Sequence, residues 1–325
     1  MAIRRREFIT LLGGAAGICP VAARAQEPGR VFRLGCLLPA DRQRPAYVAF
    51  FDELRLHGFV EGRNLDVLPG GFDVERDRID AVVGTIVKAA PDAIISGPDR
   101  YTRALQEATQ TIPILGMSED MVADGLVVSL LRPGGNTTGI SVLSPLLDGK
   151  RQDLLIEAVP GMRRIAAFLD STRTKQEHVQ QLQGAAQTRG IEVSVWSVAA
   201  SEEVIGKINA AKAGGVEAIN FLSSPLFTVN AQTFIEHLIK LRLPAVHQWP
   251  ELADEGGLVA YGPSFTEVFR QRARMLVKVL RGIRPADIPV EQPTRFELVI
   301  NLATARAIDH EVPAGLVLRA DKVIE

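Results

Sequence analysis

Pro91-Asp92-Ala93-Ile94-Ile95-Ser96-Gly97, a helical stretch, then Ile112-Pro113-Ile114: this passage decides the fold. Short apolar runs bounded by turn residues and joined through a helix make one step of a parallel sheet, since parallel strands need a long crossover. The step occurs again as Gly215-Val216-Glu217-Ala218-Ile219-Asn220, a helix, then Leu243-Pro244-Ala245. Working outward, the first unit has expected strands at 31–38, 64–68, 93–96 and 112–115. Its helices are expected across Tyr47, Phe50, Phe51, Leu54 and Leu56, stopping at Gly58, and over 75–90 and 100–110. The second unit repeats the alternation, with strands at 165–169, 192–198, 218–222 and 245–247 and helices at 174–189, 201–213 and 228–241. Such alternation predicts an α/β protein with parallel sheets covered on both faces. Arg132-Pro133-Gly134-Gly135-Asn136-Thr137-Thr138-Gly139 punctuates as a loop between the units, before a helix near Pro145. After Glu255-Gly256-Gly257 come a strand at 258–261, an amphipathic helix at 265–281 and a strand at 296–300. A short tail follows, helical over 302–308 and partly extended over 316–324.

Residues 1–25 read as an export signal. Arg4, Arg5 and Arg6 precede a mild apolar run, and Ala23-Arg24-Ala25 supplies small residues before Gln26, the expected mature start. The string Arg-Arg-Arg-Glu-Phe-Ile resembles a twin-arginine signal, which implies a periplasmic destination. The chain has 37 basic and 38 acidic residues and a net charge of -1, so no global field draws it to nucleic acid or anionic lipid. Cys36 is the only cysteine left after cleavage and sits in an apolar stretch, which predicts core packing. Five His and two Cys, scattered, offer no metal framework.

No Gly-x-Gly-x-x-Gly follows the first strand, where Pro39-Ala40-Asp41-Arg42 stands instead. Nothing matches a Walker A loop, His-Glu-x-x-His, an EF-hand or Gly-x-Ser-x-Gly. No residue is therefore assigned to catalysis, metal or cofactor. His178 is expected on a solvated helix face, and His310 shows no partner.

In open α/β sheets ligands bind beyond the carboxyl ends of the strands. That rule picks out Ser96 and Gly97, then Ser118, Glu119 and Asp120, in the first unit. In the second it picks out Asp170, Ser171, Ser223 and Ser224, and Gln248 and Trp249 beside His247. Hydroxyls and helix-start N–H groups can hold a carboxylate, and Glu119 or Asp120 can receive an ammonium. Each Ser or Asp can equally cap its own helix. Trp249 either encloses a ligand or covers a hinge. Tyr101 and Tyr261 offer flat apolar surface with a polar tip, though Tyr101 fits local packing as well.

Three strings carry a specific resemblance: Glu61-Gly62-Arg63-Asn64, the stretch from Leu131 to Gly139, and Glu291-Gln292-Pro293-Thr294-Arg295-Phe296-Glu297-Leu298-Val299-Ile300-Asn301. In this order they resemble ABC-transporter solute-binding proteins of the tryptophan/tyrosine type, over 31–325. The resemblance implies the type I periplasmic binding fold: two Rossmann-like lobes with parallel sheet cores, three crossovers and a ligand in the cleft. It places lobe 1 at 26–140 plus 258–282 and lobe 2 at 141–257 plus 283–325. Its implied partners are a small-molecule solute and an ABC permease with its cytoplasmic ATPase, and the protein is expected to be a monomer. Asp120 matches the family's aspartate after the fourth strand, while Met121 stands in place of its proline. A ligand sensor acting on a receptor, or an enzyme using Asp120 or Asp170, are the alternatives.

Overall fold

The computed structural model describes residues 29–325, so the expected export signal lies outside the described residues. Two sheets organise the rest. The first contains β1 (Phe32–Leu37), β2 (Leu65–Val67), β3 (Ala93–Ser96), β4 (Ile114–Ser118) and β5 (Thr137–Ser141), all parallel, in the order β2-β1-β3-β4-β5. The second contains β6 (Arg164–Asp170), β7 (Glu192–Val198), β8 (Ala218–Phe221), β9 (Ala245–His247), β10 (Val259–Gly262), β11 (Glu297–Asn301) and β12 (Lys322–Ile324). Its order is β12-β11-β10-β9-β8-β6-β7, parallel except where β10 meets β11. Counted from β6, its first five strands repeat the order of the first sheet. The structure therefore has two α/β lobes of the same doubly wound plan. Each switches direction beside its first strand, β1 against β3 and β6 against β8.

The central strands are buried on both faces, which explains their unbroken apolar runs: Ala93–Ser96 and Ala218–Phe221 have no exposed position. Three features differ from expectation. Thr137–Ser141, read as the end of a loop, is a buried strand. Pro133, Gly134 and Gly135 punctuate just before it, and Gly139 has to stay small because a Cβ there would stand 2.0 Å from the Gly116 carbonyl oxygen. Residues 258–262, expected with the first lobe, hydrogen-bond inside the second sheet as its fifth strand. Residues 283–291, expected with the second lobe, lie against the first. Ile288 joins its core, Thr138 Oγ1 donates to the Ile288 carbonyl at 2.7 Å, and Ser141 N donates to the Glu291 carbonyl.

Between these two segments the helix Phe265–Leu280 returns to the first lobe. Its N-terminus is capped by Ser264, and its apolar face packs on the helix Pro45–Leu56, with Phe269 4.9 Å from the Tyr47 ring. Beyond the helix Leu302–Ala307, the tail turns through a short helix, Ala314–Val317, and then pairs as β12 with β11. Among the described residues no helix is long and apolar enough to cross a membrane. Cys36 is fully buried and its thiol is pushed up to about 12 by burial, as core packing requires.

Candidate functional site

The carboxyl ends of both sheets face one cleft that opens to solvent. The first lobe contributes Pro39 and Arg44 beyond β1, Tyr47 on the following helix, Gly97 and Pro98 beyond β3, Met117, Ser118 and Glu119 at the end of β4, and Val142 after β5. The second contributes Pro225, Thr228 and Val229 beyond β8 and Trp249 beyond β9. Phe265 and Phe269, one turn apart on the crossing helix, close the hinge side. The walls are therefore mostly aromatic and aliphatic, with few polar groups, the usual make-up of a small-molecule site.

Four expected residues line this cleft: Gly97, Ser118, Glu119 and Trp249. Trp249 lines the cleft and also packs at its hinge side. Its ring stands edge-on to Phe265 at 4.8 Å, beside the hinge, and its indole N–H donates to Thr228 Oγ1 at 3.2 Å. Gln248 lies just behind and crosses between the lobes, its amide donating to Glu119 Oε1 at 2.8 Å. Glu119 is buried and its other oxygen has no partner among the described residues. Burial pushes its carboxyl up to about 7, against the pull of the Gln248 hydrogen bond and the charges of Arg151 and Arg173.

The remaining expected residues serve the lobes' own architecture. Ser96 is fully buried, its hydroxyl 2.6 Å from Thr102 Oγ1. Asp120 accepts from the N–H groups of Val122 and Ala123, the capping role. Asp170 accepts from Thr172 and from Ser224 Oγ at 2.7 Å, and Ser224 in turn accepts from Leu226 N. Ser223 joins Asp148 and Arg151 in a buried cluster. Ser171 donates to the Val198 carbonyl and lines a separate groove on the second lobe. Tyr101 is buried in the first lobe, its hydroxyl donating to the Val74 carbonyl at 2.7 Å. Tyr261 packs on the second lobe's core rather than in the cleft, because its strand sends that side chain toward the helix Asp148–Ala158.

Three histidines also differ from expectation or gain definition. His178 is only half-buried but has a partner, its Nε2 standing 2.9 Å from Asp148 Oδ2. His310 has a partner, the Ala158 carbonyl at 2.7 Å. His247 is buried, stacks on Phe221, and is driven down to about 4 by desolvation, so it is neutral.

Arg173, which the sequence did not single out, is the main charged link across the cleft. It follows β6 in the second lobe and reaches Asp99 at 2.6 Å and Asp124 at 2.8 Å, both in the first. Ser118 donates to the same Asp124 carboxylate, so the cleft wall and the ion pair share a partner. These contacts and the Glu119–Gln248 bond hold the lobes together. Among the described residues no group of three or more His, Cys, Asp or Glu could hold a metal ion.

Comparison with known proteins agrees with this geometry. Residues 51–324 match the family described as ABC transporter substrate binding protein. A tyrosine-binding protein of Clostridioides difficile is 23% identical over 262 residues, covering 80% of this chain and 75% of that one. Among solved structures, a conserved domain protein of Vibrio cholerae superposes with a TM-score of 0.79 at 22% identity, covering 90% of this chain and all (100%) of that one. An ABC domain from Streptococcus pneumonia in complex with L-Trp superposes at 0.78 with 21% identity, covering 90% of this chain and 100% of that one. With the family matched over most of its length, and with two like lobes facing one apolar cleft, this chain belongs to the ABC transporter substrate-binding proteins.

Proposed function

We propose that the cleft captures a small organic solute with an apolar, ring-sized body and a carboxylate head, an amino acid or an aromatic or other carboxylate. One observation carries this reading: aromatic side chains from both lobes and from the crossing helix (Tyr47, Trp249, Phe265 and Phe269) line one cavity, with Arg44 among them. A flat apolar body gains from burial on every wall, and the charged group fixes its orientation. The relatives named for tyrosine and bound to L-Trp support a ring-sized occupant.

As a substrate-binding protein of an ABC transporter, the chain works outside the cytoplasm and hands its solute to a permease driven by an ATPase; no chemical step is involved. Solute entering an open cleft adds contacts to both lobes, so it favours the closed arrangement, whose paired surface the permease reads. We assign export to the twin-arginine-like segment at 1–25, with the mature monomer beginning at Gln26. N-terminal sequencing of periplasmic protein tests that assignment, and a mature chain retaining Met1 would refute it.

The functional reading is tested by native mass spectrometry of protein purified from the periplasm, followed by identification of the released compound. A stoichiometric small carboxylate with an apolar body is expected. A sugar, a metal complex or a polyamine would contradict it.

A further inference from the structure

Arg272 lies on the crossing helix and is fully buried. One terminal nitrogen, Nη2, donates to the carbonyls of Ser96, at the end of β3, and Leu115, within β4, while Nη1 and Nε have no partner among the described residues. Among the described residues no carboxylate balances it: the groups acting on its charge are the Tyr47 phenol and the Cys36 thiol, both neutral. Yet its neighbours make the cleft. Its guanidinium stands 4.6 Å from the centre of the Phe269 ring, Ser96 precedes Gly97, and Tyr47, Gly97, Met117 and Phe269 all line the cavity. A positive charge thus sits one layer behind the first lobe's wall. Arg44 stands in that wall, 5.2 Å from the Phe265 ring, and has no ion pair among the described residues.

We propose that Arg44, backed by Arg272, forms a carboxylate subsite on the first lobe's side of the cleft, and that it selects a net anion: an apolar monocarboxylate without a compensating ammonium. This rests on the functional reading above and narrows it. A buried charge with no counterion is unfavourable in the empty protein, and an arriving anion relieves it through a medium that screens poorly. The depression of Arg272 to about 9 by burial expresses the same unmet need. Glu119, the acid in the wall, has one oxygen engaged by Gln248, and its burial disfavours the charged form an ammonium would need. Arg44 also lines a second recess with Glu251 and Glu255, and Glu255 acts on it electrostatically without forming an ion pair among the described residues.

The test is calorimetry with 3-phenylpropanoate, its neutral amide 3-phenylpropanamide, and the zwitterion L-phenylalanine. The carboxylate is expected to bind roughly tenfold or more tighter than either competitor. Arg272→Met should narrow the carboxylate-to-amide ratio several-fold, whereas a merely structural arginine would weaken both ligands in proportion. Arg272→Lys should keep most of the ratio. If the methionine variant fails to fold, Arg44→Gln carries the test with the same expected narrowing. Equal binding of carboxylate and amide, proportional weakening, or tighter binding of L-phenylalanine each overturns the subsite while leaving the apolar cleft intact. Binding of none of the three to folded protein overturns the functional reading itself, and the subsite with it.

Discussion

Arg151 and Arg272 are both fully buried, one in each lobe, and they are held in opposite ways. Arg151 meets Asp148 at 2.5 Å, Ser223, and the Tyr261 carbonyl at 3.1 Å, and Asp148 is further tied to His178. Its charge is answered within the lobe, so it knits the helix Asp148–Ala158 to the ends of β8 and β10. Arg272 meets only carbonyls and a ring. A buried charge that the protein neutralises is architecture; one that it leaves unneutralised beside a cavity points to what the cavity receives.

The contrast can be broken by matched substitutions. Arg151→Met leaves the Asp148 carboxylate buried without its cation and should cost about 3–5 kcal/mol in chemical denaturation. Arg272→Met strands no counter-charge, only the Ser96 and Leu115 carbonyls that lose a donor, and should cost about 1–2 kcal/mol, less than Arg151→Met. Equal losses in the two variants would remove the distinction.

Glu119 sharpens it from the other side, because its burial depends on the second lobe's Gln248. Its folded value of about 7 lies above the ordinary 4.5, so between these values the folded state holds more protons than the unfolded. Stability should therefore be fully present below about pH 4.5, decline as pH rises through that window, and level off above 7, with a slope of at most about 1.4 kcal/mol per pH unit. Glu119→Gln should flatten the slope, and an unchanged pH profile would show that Glu119 is not its source.

The smallest expected effect belongs to Arg173. Its ion pairs to Asp99 and Asp124 are about one-fifth exposed and screened accordingly. Arg173→Ala should cost the closed arrangement about 1 kcal/mol. Small-angle scattering of ligand-free protein should then give a larger radius of gyration than wild type at low salt. An identical radius would mean that other contacts hold the lobes.

The sheets were legible in the sequence because their strands are short apolar runs cut off by turn residues: 93–96, 192–198 and 245–247 are strands as expected. Thr137–Ser141 was not, because Thr, Gly and Ser make a weak apolar run directly after Pro-Gly-Gly. At the site, the strand-end rule found the correct edge of each sheet but could not separate residues that face the cleft from those that cap. Ser96, Asp120, Asp170 and Ser224 all lie at that edge and spend their polar atoms locally. Arg44 lies beyond the end of β1, where the same rule could have found it. Phe265 and Phe269 carry no local signal at all. They reach the cleft only because their helix follows a strand of one lobe and packs on the other.

The solute is expected to lie between the lobes against Trp249, Phe265 and Phe269. A crystal structure of the protein carrying its co-purified solute tests it most directly. Ligand density enclosed by those three rings and by Gly97 and Pro98, with the carboxylate toward Arg44, is the expected result. Density in the second lobe's groove between Ser171 and Gln183, with the interlobe cleft holding only water, would contradict it.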